Sequence, residues 1–168
     1  MNRKANDRSD RQIIIERTYT ASIDEVWNLW TTEDGIESWW GPEGFAVKVH
    51  KLDLRAGGQM LYAMTAVDPA QVKFMTQAGI PLTTEGKLTY TEIVHGKSIA
   101  YTHRADFIPG VEPYDVGNRV EFHTDKSGVC MVLRLDPMHS EEWTQRAVMG
   151  MESQLGKLAN ILASSRAE

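Results

Sequence analysis

Ser22 to Pro42, SIDEVWNLWTTEDGIESWWGP, constrains the fold more than any other stretch, because it gathers four of the five tryptophans into one eighth of a 168-residue chain. Ser22-x-x-Glu25 has the form of a capping box. The serine hydroxyl can accept the Glu25 N–H while the glutamate side chain reaches back to the Ser22 N–H, so a helix is expected from Ile23. Ile23, Val26, Trp27 and Trp30 follow the i, i+3, i+4, i+7 spacing of one apolar face, and Asp24, Glu25 and Asn28 fall on the other. Thr31 or Thr32 can cap a second helix carrying Ile36, Trp39 and Trp40. Gly41-Pro42 ends it, since proline disfavours helical φ/ψ in the residue before it. Two short helices cannot bury so much indole surface against each other. They require a sheet.

With 42% hydrophobic residues the chain is long enough for one core and a cavity, and one domain from about residue 13 to 165 is the default expectation. A formal net charge of −5, with no basic block beyond the first dozen residues, argues against nucleic acid as a partner. No run reaches the roughly 20 apolar residues of a membrane span and the start lacks a signal-peptide core, so a cytoplasmic protein is expected. Cys130 excludes an intramolecular disulfide and, inside the run Val129 to Leu135, reads as a small core residue.

Met1 to Gln12 is polar and aperiodic, the pattern of a mobile tail. Ile13 to Thr20 is rich in β-branched residues and reads as the first strand. Phe45 to Leu54 alternates as a half-exposed strand, turns at Arg55-Ala56-Gly57-Gly58, and pairs with Gln59 to Ala66. Val67 to Leu82 interrupts the meander, and its middle, Ala70 to Ala78, has room for about two helical turns. Its Val72, Phe74 and Met75 mark either a core patch or a lid, because hairpins usually need only about 2 to 5 loop residues. Strands are expected again at Gly86 to Val94, Lys97 to Phe107, Asn118 to Thr124 and Gly128 to Leu135, with Pro109 to Gly117 as a longer turn.

Ser140 to Ala163 is the last element, a helix of about 36 Å capped by Ser140 with Glu141 and Glu142 at its positive end. Trp143, Ala147, Met151, Leu155, Leu158 and Leu162 form a continuous apolar stripe. Gly150 and Gly156 each cost helix propensity of about 0.8 to 1 kcal/mol against alanine, which suggests close packing or space left for something else.

The resulting order is an α+β domain: two short helices after the first strand, then a curved antiparallel sheet of about six to seven strands wrapped around the final helix. Ala21-Ser22-x-x-x-Val26-Trp27, Trp39-Trp40-Gly41-Pro42, Asp53-Leu54-Arg55-x-Gly57-Gly58, Gly86 with Glu92-Ile93, and Gly150 occur in an order and spacing that resembles the START-like (SRPBCC, Bet v 1-like) helix-grip superfamily. Within it the chain is similar to the activator of Hsp90 ATPase homologue-like family, over residues 13 to 163. Departures include Glu33 where a proline is usual, Ala56 in the Arg-Pro-Gly-Gly turn, Ser127-Gly128-Val129 for a Gly-Gly-Thr hairpin, and Met151 where tryptophan often follows the helix glycine.

No chemistry-bearing motif stands out. His50, His95, His103, His123 and His139 lie on different elements without metal-ligand spacing, so neither metal nor cofactor is expected. Gly57-Gly58 reads as turn chemistry, and there is no nucleophile elbow or P-loop. What remains is an apolar surface. Alternation places Met60, Tyr62 and Met64 on one strand face, Tyr101, His103, Ala105 and Phe107 on a second, and Val120 with Phe122 and Met131 with Leu133 on two more. Any one of these is ordinarily core. As a set with eight methionines in the chain, they suit an adaptable pocket whose polar points are Tyr62, Tyr90, Tyr101 and His103.

The resemblance implies a cavity between sheet and final helix that takes lipids, polyketides or other hydrophobic molecules. The leading expectation is therefore a non-enzymatic binding protein for a small hydrophobic ligand, with a stress role as a further expectation. Met151 and Leu155 would line the helix side, Phe74 and Met75 the lid, and Trp39 the corner. The resemblance also implies two alternatives: a co-chaperone that docks on a heat-shock ATPase, and a cyclase- or aromatase-like enzyme with His103 as general acid or base. An exposed sheet edge or the Trp39-Trp40 corner could support a homodimer.

Overall fold

A computed structural model describes residues 12–106 and 108–166, with side chains to residue 164. The expected polar tail lies outside this range apart from Gln12, as does Phe107. In chain order the elements are β1 (Ile13–Tyr19), α1 (Ile23–Thr31), α2 (Glu33–Trp39), β2 (Phe45–Leu52), β3 (Gln59–Ala66), α3 (Pro69–Ala78), β4 (Thr83–Val94), β5 (Ser98–Ala105), β6 (Tyr114–Asp125), β7 (Gly128–Leu135) and α4 (Glu141–Arg166). The fold is the α+β helix-grip fold.

The strands form one seven-stranded antiparallel sheet in the order β1-β7-β6-β5-β4-β3-β2. Every neighbour except β1–β7 is a sequential hairpin, so loop closure is local almost throughout. Register shifts between Val49 and Lys51 and between Tyr90 and Glu92 insert extra residues that bend the sheet. The β2–β3, β4–β5 and β6–β7 turns lie at one end of the sheet. At the other end lie α3, the β5–β6 connection and the start of α4.

Local signals set the helices where the sequence placed them. Ser22 Oγ accepts the Glu25 N–H at 3.1 Å and Thr32 Oγ1 accepts the Gly35 N–H at 3.0 Å, capping α1 and α2 in turn. Asp68 caps α3, Pro69 opens it, and Gly79 closes it in the left-handed conformation at φ 71°. The indoles of Trp30, Trp39 and Trp40 pack edge-on against one another with centroids 4.7 to 6.0 Å apart. Trp39 Nε1 donates to the Leu29 carbonyl at 2.7 Å, pinning α2 to α1. This aromatic block covers the inner face of the sheet, packed with Ile15, Met60, Leu88, Ile99, Val120, Met131, Leu155, Leu158 and Leu162 into the main core. A second, smaller cluster of Ala105, Ile108 and Val116 takes in Trp143 near the start of α4.

Three local expectations are corrected. Cys130 is not core: it lies half-exposed on the outer face, its thiol donating to Glu16 Oε1 at 3.3 Å, because Val129 and Met131 hold the inward positions of β7. Ala147 is exposed, so the apolar stripe of α4 is fully buried only from Leu155 onward. The turn expected over 109–117 is shorter, and β6 begins at Tyr114.

Candidate ligand-binding face

The inner face of the sheet is unevenly covered. Met60, Tyr90, Tyr101, Phe122, Met131 and, from α4, Leu155 are buried in the main core, as is Trp39. Tyr62, Met64, His103 and Met151 share that inner face or its facing helix and remain only half-buried. The expected ligand contacts thus divide by burial into seven core side chains and four that are half-buried. Tyr62 and Met64 lie on β3 and His103 on β5, toward the strand ends that lead to α3 and to the β5–β6 connection, and Met151 lies on α4. A Cβ added at Gly150 would meet no described heavy atom within 4 Å, so this glycine does not serve close packing.

Between the two parts stands a ring partition. Trp40 packs edge-on against Tyr62 at 6.3 Å and against Tyr101 at 6.1 Å. Behind it, Trp30, Ile36, Trp40, Met60, Tyr90 and Tyr101, with Leu88 and Ile99, line a small void of about 10 Å³. No residue of α4 lines this void. It has room for about one water, far below the hundreds of cubic ångströms a drug-sized ligand occupies. A ligand of that size would need more room than this void offers.

Electrostatics on this face are those of neutral polar groups. Burial pushes the Tyr90 and Tyr101 hydroxyls far above the ordinary tyrosine range, and raises Tyr62 against a smaller opposing pull from the Trp40 ring N–H. Burial also lowers the His103 pKa, with Asp115 opposing, so the imidazole is held neutral. Its ring makes no hydrogen bond among the described residues.

Sequence reading missed four polar residues here. Asn118 is half-buried, pairs across strands with Tyr101 and Leu135, and shares its side of β6 with Val120 and Phe122. That parity was the available signal. On α4, Gln154 Oε1 accepts the Gly41 N–H at 2.9 Å and Ser153 Oγ accepts the Glu43 N–H at 2.9 Å. Lys157 Nζ donates to the Gly41 carbonyl at 3.1 Å. These three side chains clasp the loop after the tryptophan pair, and no local pattern announces them.

Beside Gly44 lies α3. Met75 is buried at 6% exposure whereas Phe74, one residue on the other side, is 62% exposed. Val67 and Ile80, which flank the helix, are exposed too. The backbone N–H groups of Val67 and Asp68 donate to the Gly44 carbonyl, anchoring α3 beside the same loop that α4 clasps.

A surface groove of about 600 Å³ runs beside the first turn of α1, lined by Ile23, Lys97, Arg119, Glu121 and His123 among others. Its Arg119 and Glu121 are already engaged in a network with Glu92, His123 and Arg134. Among the described residues no group of His, Cys, Asp and Glu side chains could hold a metal ion, and no helix is long and apolar enough to cross a membrane.

A family model, Activator of Hsp90 ATPase homolog 1-like protein, matches residues 20–163. The chain belongs to this family. Solved structures of the same fold include a Chromobacterium violaceum protein, 22% identical over 91% of this chain and 97% of that one, with a TM-score of 0.72. A Mycobacterium smegmatis protein is 20% identical over 95% and 94% of the two chains, with a TM-score of 0.70. The AHSA1 protein of Silicibacter pomeroyi is 20% identical over 92% and 99%, with a TM-score of 0.67. No curated protein matches the chain by sequence.

Proposed function

We propose that this family member is a non-enzymatic binding protein for one small hydrophobic molecule, taken up on the inner face at the α3 end. The residues from 13 to 165 act as one START-like domain. Tyr62, Met64, His103 and Met151 make the binding surface, and α3 is the lid, with Phe74 turning inward when a ligand is present. The observation that carries this reading is the uneven cover of one continuous apolar face: its far part is packed solid while these four side chains stay half-buried. Unbranched thioethers at two of the four positions fit an adaptable apolar contact. A neutral imidazole and a phenol supply the few polar points that such sites use.

The test is native mass spectrometry of the protein purified from its own host, with extraction and identification of whatever denaturation releases. A stoichiometric hydrophobic passenger is expected, with rebinding weakened at least about tenfold by Met64→Gln and Met151→Gln, the cost of about 1.4 kcal/mol of lost apolar contact. A protein that carries no passenger and binds no displaceable apolar dye would overturn the reading, and recovery of a heat-shock ATPase in its place would favour the co-chaperone alternative.

A further inference from the structure

Trp30 of α1 is buried, and its ring N–H meets no hydrogen-bond acceptor among the described residues. An unpaired buried donor of this kind is rare, because it gives up its bond to water and gains none in return. Its neighbour on the next helix shows the usual arrangement, with Trp39 Nε1 donating to the Leu29 carbonyl at 2.7 Å. Trp30 also forms a wall of the small void behind the ring partition, which it shares with Tyr90 and Tyr101.

The void has the dimensions of one water, about 10 Å³. Its polar groups have the matching chemistry. An indole nitrogen only donates, so whatever sits there must offer an acceptor, while phenol hydroxyls both accept and donate. Among the described residues the Tyr90 hydroxyl has only the Met60 sulfur as a partner, at 3.9 Å, and sulfur accepts weakly. A methyl-sized group in the same space would leave the indole N–H unpaired, and the neutral aromatic lining offers no ligand for a metal cation.

We infer that this void is a binding site for a single water molecule, which accepts from Trp30 Nε1 and hydrogen-bonds to the hydroxyl of Tyr90 or Tyr101. The water ties α1 to β4 or β5 through an otherwise apolar core. It also sets one polar point at the inner end of the face, behind Tyr62 and Trp40.

The test is nuclear magnetic resonance of the ¹⁵N-labelled protein, reading cross-peaks between bound water and each indole proton. The Trp30 indole proton, assigned by its loss in Trp30→Phe or by triple-resonance experiments if that variant does not fold, is expected to show a water cross-peak. The Trp39 indole, bonded to a carbonyl, serves as the dry control. A high-resolution crystal structure is expected to place an oxygen within hydrogen-bonding distance of Trp30 Nε1. A Trp30 indole as free of water contact as Trp39, or a void without density, would overturn the inference.

Discussion

Tyr62 lies over Gly86, its direct cross-strand partner: a Cβ built at Gly86 would stand 2.2 Å from Tyr62 Cζ. The glycine is there because a ring covers it, and the ring in turn braces Trp40. Gly86→Ala should therefore displace the Tyr62 ring and destabilise the protein by about 1 to 3 kcal/mol, the usual penalty of overpacking. Denaturant unfolding measures it. In a Tyr62→Ala background the same change should cost far less, since the clash is gone, and strict additivity of the two substitutions would contradict the contact.

Gln154 and Ser153 both accept a backbone N–H from the loop after Trp40, but only the Gln154–Gly41 bond is buried. Gln154→Leu strands the Gly41 N–H away from water, which should cost about 1 to 3 kcal/mol. Ser153→Ala leaves the exposed Glu43 N–H free to bond solvent and should shift stability by less than about 0.5 kcal/mol. Equal effects of the two substitutions on the unfolding free energy would refute this ranking.

These two contacts also mark where the sequence was legible. Short-range chemistry was readable: Ser22 and Thr32 set helix starts through bonds within a few residues. Strand alternation gave most of the inner face. Cys130 was misjudged because its run is apolar on both sides, so composition concealed the alternation that turns it outward. The start of β6 was hidden by Pro113, Asp115 and Gly117, which read as a turn. In the fold Gly117 stays in the strand, its N–H donating to Asp136 Oδ2 at 3.1 Å from 19 residues away. Gln154 was invisible for the same reason, its partner being 113 residues distant. The site was legible as a set of apolar positions, but which of them stay half-buried depends on how α4 meets the sheet.

Burial pushes the Tyr19 hydroxyl up to about 12, a rise that nearby Arg17 opposes and Glu152 assists. Since an unfolded tyrosine ionises near about 10, the folded state holds this proton more tightly, and its contribution is complete below about pH 10 and lost as the pH climbs to about 12. Two units correspond to about 2 to 3 kcal/mol. Tyr62, Tyr90 and Tyr101 are raised in the same direction. The unfolding free energy should thus fall steeply on the alkaline side, and less steeply in Tyr19→Phe. At neutral pH that variant should be no less stable than the parent, because the buried hydroxyl has no partner among the described residues. Identical alkaline slopes in the two proteins would remove Tyr19 from the account.

On the acid side the group to follow is His103, whose pKa burial lowers. An unfolded histidine takes up its proton near about 6.5, whereas the folded one resists it until lower pH. The stability it contributes is present above about 6.5 and is lost as the pH falls through the folded-state value. His103→Gln should flatten that part of the stability profile, and NMR titration of the ring should place its midpoint below the value of about 6.5 of a free imidazole. A His103 midpoint at or above about 6.5 would mean that the ring is solvated, not sheltered by the face it shares with Tyr101.

Phe74 and Met75 are adjacent on α3 and make opposite commitments. Met75 is 6% exposed and Phe74 62%. Met75→Ala should therefore cost about 2 to 5 kcal/mol of stability, as removal of a buried side chain does. Phe74→Ala, changing a side chain already in water, should shift the unfolding free energy by less than about 0.5 kcal/mol. If α3 closes over a bound molecule, the second substitution should appear in binding instead. A phenyl ring moved from water onto an apolar ligand contributes roughly 1.5 to 3 kcal/mol, so affinity for the passenger should drop about ten- to a hundredfold with the fold intact. Calorimetric titration of parent and Phe74→Ala protein decides the matter, because a variant that binds as tightly as the parent would leave α3 as a structural cover and would remove the lid from the proposed site.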